Sequence, residues 1–383
     1  MFLAIDQRFQ SGAETHNLYT FIEQETKCYL MSPNPLPAAV EKKFEHLWHL
    51  VGNTPMIEIL YQFNGRLQTV YAKCEHYNLT GSIKDRMALY ILQQAYREQK
   101  IQPGDRIIEA TSGNTGISFS AIGRSLGHPV TIIMPDWLSR ERIDIISSLG
   151  ADVHLISREA GGFIGAISKA EQLAIEMNDV FLPRQFENRY NVEAHMKTTA
   201  REIWLQLERR GLTPTAFVAG VGTGGTVMGI NAYMKKRIPG VKVFALEPQE
   251  SPTLSTGHKI GSHRIQGISD DFIPSIVDLK ALDNVIQAAD GDSIIMAQKL
   301  ASQLGIAVGI SSGANIIGAI KVKNELRDNA VVVTILPDSN KKYLSTDLVR
   351  NEPCKSHHIS SQVEFIDYIP IGRINEVQPE YLS

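Results

Sequence analysis

From about residue 50 onward, short β-branched runs alternate with longer segments of helical period. The runs occupy residues 70–73, 107–110, 130–134, 153–156, 216–219, 241–246 and 331–336. That alternation predicts an α/β chain built around a mainly parallel sheet. Between residues 107 and 156 the order is strand, helix, strand, helix, strand, which is half of a doubly wound sheet, and a second such set starts near Ala216. No tandem repeat or low-complexity tract interrupts it. The expected organisation is an N-terminal extension and Pro-rich linker over 1–46, two doubly wound three-layer α/β/α domains over 47–190 and 191–349, and a tail over 350–383.

Composition agrees with a folded globular chain. Of 383 residues, 43% are hydrophobic and 21% charged, and 38 Lys and Arg against 41 Asp and Glu leave a net charge of −3. Disorder is excluded on that balance, and the basic stripe expected of a nucleic-acid binder is missing. The three cysteines, Cys28, Cys74 and Cys354, lie far apart without CxxC spacing, so neither a disulfide framework nor a structural metal site is expected. The apolar opening ends at Asp6, too early for a signal peptide, and no run reaches the length of a membrane span. The expectation is a cytoplasmic protein that engages neither nucleic acid nor membrane.

Three loops at strand-to-helix junctions carry the chemistry, because in open α/β sheets ligands bind there. Residues 220–226 read Gly-Val-Gly-Thr-Gly-Gly-Thr, a backbone able to approach an anion at a helix N-terminus. The same string fits GxGxxG, and Glu247 lies 22 residues past Gly225, so a dinucleotide site is a rival reading. Residues 111–116 supply four hydroxyl or amide side chains where one would cap a helix, which suits a carboxylate. Residues 80–86 put Lys84 in the first turn of a helix for which Ser82 is the expected N-cap. A cation there sits badly with the helix dipole, and a desolvated amine has the lowered pKa that Schiff-base chemistry requires.

Together these segments resemble the pyridoxal-phosphate-dependent cysteine synthase and cystathionine β-synthase family, of the tryptophan-synthase-β-like fold (fold type II). The resemblance covers about residues 47–349. It rests on Gly52-Asn53-Thr54-Pro55, the Gly81-to-Arg86 and Thr111-to-Gly116 segments, the loop from Gly222 to Thr226, Gln266-Gly267-Ile268, Gly309-Ile310-Ser311-Ser312-Gly313 and Leu336-Pro337-Asp338-Ser339. It implies that Lys84 forms the internal aldimine with pyridoxal 5′-phosphate and that Gly222, Thr223, Gly224, Gly225 and Thr226 hold the phosphate. It assigns Asn114 to the cofactor's 3′-oxygen, Ser311 to the pyridine nitrogen, and Thr111, Ser112, Thr115 and Gln185 to the substrate carboxylate. A β-replacement through an α-aminoacrylate follows, on O-acetylserine or O-phosphoserine with sulfide or thiosulfate, giving cysteine or S-sulfocysteine, as in a bacterial cysteine synthase.

Alternatives stay open. They are cystathionine synthesis from serine and homocysteine, serine or threonine dehydration, and an idle copy that only binds a partner. A phosphorylated donor would want an arginine in reach, and Arg264 is the candidate, with a surface ion pair as the other reading. Haem ligation by Cys28 with His46 or His49 lacks a local signature, and His357-His358 is expected to be a solvated tail. The resemblance also implies a homodimer and binding of a serine acetyltransferase tail in the active site.

Overall fold

The computed structural model describes residues 36–327 and 329–374. Helix α1 (Ala38–Trp48) begins after Pro37, and its Phe44, Leu47 and Trp48, three and four apart, form one buried stripe. Strands β1 (Met56–Phe63) and β2 (Arg66–Cys74) form a hairpin. Asn64 and Gly65 turn it, at φ 51° and 74°, the two left-handed residues that a tight hairpin turn demands. In order there follow α2 (Lys84–Arg97), β3 (Arg106–Ala110), α3 (Asn114–Leu126), β4 (Val130–Pro135), α4 (Arg140–Ser148), β5 (Asp152–Ile156), α5 (Gly162–Glu176) and β6 (Val180–Phe181). Next come α6 (Arg189–His195), a π-helical turn (Met196–Ala200), α7 (Arg201–Glu208), β7 (Ala216–Gly220), α8 (Gly225–Arg237), β8 (Lys242–Pro248) and β9 (Asn284–Ala288). The described chain closes with α9 (Asp290–Leu304), α10 (Ile310–Glu325), β10 (Val332–Leu336) and β11 (Val363–Ile371).

Two sheets result. The larger has seven strands in the order β11-β1-β2-β10-β7-β8-β9, and the smaller has four in the order β5-β4-β3-β6. The smaller is parallel throughout, and the larger is parallel from β2 to β9, with antiparallel pairs at β1–β2 and β1–β11. Side-chain alternation covers both faces of the large sheet. Val218 and Leu246 join one core with Ile294, Met296, Ile316 and Ile320, whereas Phe217, Val243 and Ala245 join another with Ile203, Val227 and Ile230. That is a three-layer sandwich, with α9 and α10 on one side and α7 and α8 on the other. In the small sheet Ile108, Ala110 and Ile133 pack on Ala166 and Ala170 of α5. On its opposite face α3 comes so close that a Cβ at Gly123 would meet Ile107 and Val130 at 2.9 Å.

Every β-branched run read from the sequence lies within or overlaps a strand. Strands β1, β6, β9 and β11 were not among those runs. β9 is half-exposed and β6 has only two residues, so neither carries a strong apolar signal. β11 is the notable difference from the expected tail. Val363, Phe365 and Ile371 are buried, but the residues between them are open to solvent and include Pro370, which an edge strand tolerates. The sheets also cross the sequence divisions at 190 and 349: the larger takes β1 and β2 from before the first and β11 from after the second. His358 is not solvated. It is buried, its Nδ1 accepts the Lys355 N–H at 3.3 Å, and the neighbouring Ile359 and Ser360 N–H groups donate to Asp292 of α9.

Candidate active site

Lys84 owes its place to the chain just before it. Gly81 takes φ 77°, Ser82 bridges to Asp338, and the Ile83 N–H donates to Pro337 O at 2.9 Å, so the segment is pinned beyond the C-terminal end of β10 and α2 starts at Lys84 itself. Ser82 is not the expected N-cap. The residue before the helix is Ile83, in helical conformation, and the Ser82 hydroxyl is buried without a hydrogen-bond partner. Asp85 fastens the turn instead, accepting the Thr80 N–H at 2.7 Å, the Thr80 hydroxyl at 2.6 Å and the Ser118 hydroxyl at 2.6 Å. Lys84 forms no hydrogen bond or ion pair among the described residues. Desolvation lowers its pKa from the ordinary lysine value, with Asp338 and Asp270 pulling the other way.

The loop after β3 turns through Gly113 at φ 146°, whose N–H donates to Thr111 Oγ1 at 3.0 Å. Asn114 opens α3 and donates from Nδ2 to Asp338 Oδ2 at 2.7 Å, leaving its second N–H free and its buried Oδ1 without a partner. Thr115 donates to Gln185 Oε1 at 2.6 Å, and Gln185 Nε2 donates to Ala110 O at 2.9 Å. The loop after β7 turns through Gly224 at φ 87° into α8. It is packed too tightly for side chains. A Cβ at Gly222 would lie 2.5 Å from Gly267 O, and one at Gly225 would lie 1.9 Å from Asn191 Oδ1. Asn191 also donates to Thr223 Oγ1 at 2.8 Å, tying this loop to α6.

These pieces meet. A cleft of about 800 Å³, counting its open mouth, is lined by Lys84, Thr111, Ser112, Asn114, Thr115 and Gln185 on one side and by Gly222, Thr223, Gly224, Thr226 and Ser311 on the other. Gly225 is the one expected residue outside the lining, because it is packed on Asn191. Two charged lining residues escaped sequence reading. Arg142 of α4 is buried over the Tyr343 ring at 4.7 Å and donates to Gln266. Asp270 sits in the loop before β9, and burial, aided by Asp271, raises its pKa to about 6 against the pull of Lys84 and Lys259. Neither stands in a local motif, so no sequence signal marks it.

Other sequence candidates fall away from the cleft. Glu247, the acidic residue of the dinucleotide reading, is consumed inside the protein by the Leu254 N–H at 2.8 Å, the Ser255 hydroxyl at 2.5 Å and Gln287 at 3.1 Å. Arg264 forms ion pairs with Glu352 at 2.8 Å and Asp347 at 3.1 Å and is absent from the cleft lining. Cys28 lies outside the described residues. Among the described residues no three His, Cys, Asp or Glu side chains are grouped to hold a metal, and no helix is long and apolar enough to cross a membrane.

A glycine-walled cup at a helix N-terminus, opposite an unpaired lysine, fits a phosphorylated aldehyde, the phosphate in the cup and the carbonyl carbon on the amine. The family model described as pyridoxal-phosphate dependent enzyme matches residues 47–338. The chain belongs to this family. Pyridoxal phosphate is therefore the cofactor of this enzyme, and the orphaned Asn114 Oδ1 and free second N–H leave hydrogen-bonding capacity in the cleft that fits a polar ring substituent. The enzyme is 39% identical to cysteine synthase of Staphylococcus aureus over 80% of its own length and 98% of that protein's. It is likewise 39% identical to a probable cysteine synthase of Bacillus subtilis, over 78% and 96%. Among solved structures, the hydrogen sulfide-producing enzyme of Fusobacterium nucleatum superposes with a TM-score of 0.84 at 51% identity, covering 87% of this chain and 100% of that one. The O-acetylserine-dependent cystathionine β-synthase of Helicobacter pylori superposes with a TM-score of 0.71 at 34% identity, covering 79% and 98%.

Proposed function

We propose that this pyridoxal-phosphate enzyme catalyses β-replacement on an activated L-serine, with sulfide or thiosulfate as the nucleophile. The single observation that carries the reading is the convergence of Lys84, the 111–116 loop and the 222–226 loop on one cleft. When bound, the cofactor supplies an electron sink for the substrate's α-carbon. Lys84 would hold it and would serve as the base that takes and returns the α-proton, a task its lowered pKa suits. Residues 222–226 and the α8 N-terminus would receive the phosphate, Asn114 would donate to the 3′-oxygen, and Ser311 would stand at the ring nitrogen. A neutral hydroxyl there does not enforce a protonated ring, which favours prompt loss of a β-substituent over a long-lived carbanion. Thr111, Ser112, Thr115 and Gln185 grip the substrate carboxylate and exclude water behind it.

O-acetylserine is the donor this reading prefers. The likeness to the O-acetylserine-dependent enzyme of Helicobacter pylori supports that preference; Arg264 is engaged by Glu352 and Asp347, and the arginine that lines the cleft is Arg142. A homodimer, a cytoplasmic location and capture of a serine acetyltransferase tail belong to the same proposal, supported by family membership alone.

Asp270 favours a second reading, in which sulfide is the leaving group. A carboxylate facing Lys84 across the cleft can deprotonate an incoming water. L-Cysteine then loses its β-sulfur as H₂S, and water adds at the β-carbon to give L-serine, which balances. The likeness to a hydrogen sulfide-producing enzyme supports it. The test is a visible absorption titration of the holoenzyme with O-acetylserine, O-phosphoserine, serine and cysteine separately, followed by assays of cysteine and sulfide. A donor-specific spectral change with O-acetylserine and cysteine formation on adding sulfide supports the first reading; sulfide and serine released from cysteine alone support the second. A protein that stays colourless with added pyridoxal phosphate overturns both.

A further inference from the structure

Glu109 is the penultimate residue of β3, one step before the strand end that feeds the 111–116 loop. It is only 4% exposed and forms no ion pair among the described residues. Its carboxyl is aimed at a turn far along the chain. The Arg184 N–H donates to Oε2 at 3.0 Å and the Gln185 N–H to Oε1 at 3.4 Å. A second pocket, of about 710 Å³ counting its open mouth, has Glu109 in its wall together with Ile108, Ile167, Leu182, Phe186 and Phe272. Burial raises the Glu109 pKa to about 8, and the two backbone donors oppose that rise.

The turn that Glu109 holds is strained. Arg184 has φ 53°, a left-handed conformation that costs a residue with a side chain on the order of 1 kcal/mol or more. The conformation is what brings Gln185 to the cleft wall, with Nε2 donating to Ala110 O, Oε1 accepting from Thr115, and its carbonyl accepting from Asn191 Nδ2 at 2.9 Å. Asn191 in turn donates to Thr223 in the phosphate loop. One carboxyl thus underpins the backbone at the junction of the carboxylate loop and the phosphate loop.

We propose that Glu109 is a positioning residue for substrate-carboxylate recognition, acting by holding the Arg184 turn so that Gln185 is presented to the cleft. The inference rests on the reading of Gln185 as a carboxylate ligand. A glutamine at 109 keeps one oxygen for one N–H and sets its own amide donor against the other, and alanine satisfies neither.

The experiment is a double-mutant cycle on the holoenzyme with E109A, E109Q, Q185A and E109A/Q185A. It reads KM for O-acetylserine, kcat, cofactor content and melting temperature. The expected result is that E109A raises KM about tenfold, the loss of one good hydrogen bond, with kcat changed much less and cofactor content retained. E109Q recovers part of that loss, and the double variant is no worse than Q185A. Multiplicative effects of E109A and Q185A overturn the proposal, as does an E109A that lowers only the melting temperature. If Q185A raises KM and E109A does not, the positioning role alone falls; if Q185A leaves KM unchanged, the assignment of Gln185 falls and takes the positioning role with it.

Discussion

Arg86 and Glu202 face each other through two parallel hydrogen bonds, Nη1 to Oε1 and Nη2 to Oε2, each 2.7 Å long. On its other edge the same guanidinium meets Glu75, with Nε to Oε2 at 2.6 Å and Nη2 to Oε1 at 2.7 Å, and Lys73 completes the cluster at 2.8 Å from Glu202. All four side chains are buried. Two cations balance two anions just two residues beyond Lys84, so the helix that carries the reactive amine is anchored by paired charges with their donors and acceptors used.

Replacing Glu202 by Gln leaves Arg86 and Lys73 sharing only Glu75, an excess of buried positive charge. The expected loss is about 3–5 kcal/mol of unfolding free energy, read by denaturant titration. An E202Q within about 1 kcal/mol of wild type would show that the cluster is not an anchor.

Acid should act through the same group. The Arg86 and Lys73 charges hold the Glu202 carboxyl well below the usual carboxylate range, despite the opposing effect of burial. A depressed folded pKa means that its stabilisation is complete above the unfolded carboxylate range, near 4.5, and is lost progressively as pH falls below it. Wild type should therefore lose stability between about pH 5 and pH 2 more steeply than E202Q, which has no proton to gain at this position. Parallel pH profiles for the two proteins would rule out this role.

At Gly225 the missing Cβ is the point. In G225A the methyl enters the space of Asn191 Oδ1, 1.9 Å away, and displaces the side chain that holds Thr223. The variant should lose about 1–3 kcal/mol of stability to overpacking and bind pyridoxal phosphate less tightly, measured by cofactor dissociation in equilibrium dialysis. Unaltered cofactor affinity would mean that the phosphate loop does not depend on Asn191.

Replacing Asp270 separates the two catalytic readings. If it deprotonates water, the rate of sulfide release from cysteine falls as pH drops through about 6, where the carboxyl gains its proton. Burial and, after it, Asp271 raise that value, and Lys84 and Lys259 lower it. D270N should lower this rate about 100-fold and abolish the acid limb, while β-replacement with sulfide, already a competent nucleophile, changes far less. Equal losses in both reactions would return Asp270 to a structural role.

The sequence made the parallel strands legible, because strands covered on both faces read as unbroken apolar runs, and β7, with Ala216, Phe217, Val218 and Ala219 all buried, is an instance. β11 was hidden, because only three of its nine residues are buried and its partner, β1, lies some 300 residues away. The site divides in the same way. Lys84 and the glycine loop announce themselves by breaking local rules, a cation at a helix start and glycines where one would serve a turn. Asp270 and Arg142 obey every local rule and acquire meaning only when loops distant in sequence converge. The bond from Arg184 to Glu109 spans 75 residues with nothing in either segment to signal it.

The order in which strands join the larger sheet bears on how the chain is made. β3 to β6 lie within residues 106–181, so the small sheet has all its strands as soon as that stretch has left the ribosome. The large sheet has to wait: β2 needs β10, more than 250 residues later, and the free side of β1 stays open until β11 emerges. Throughout that interval an eight-residue strand, Met-Ile-Glu-Ile-Leu-Tyr-Gln-Phe, presents an unfilled hydrogen-bonding edge beside an apolar face. During synthesis, then, the edge that β11 closes stays open while about 300 further residues are made, a window in which neighbouring nascent copies can pair through it.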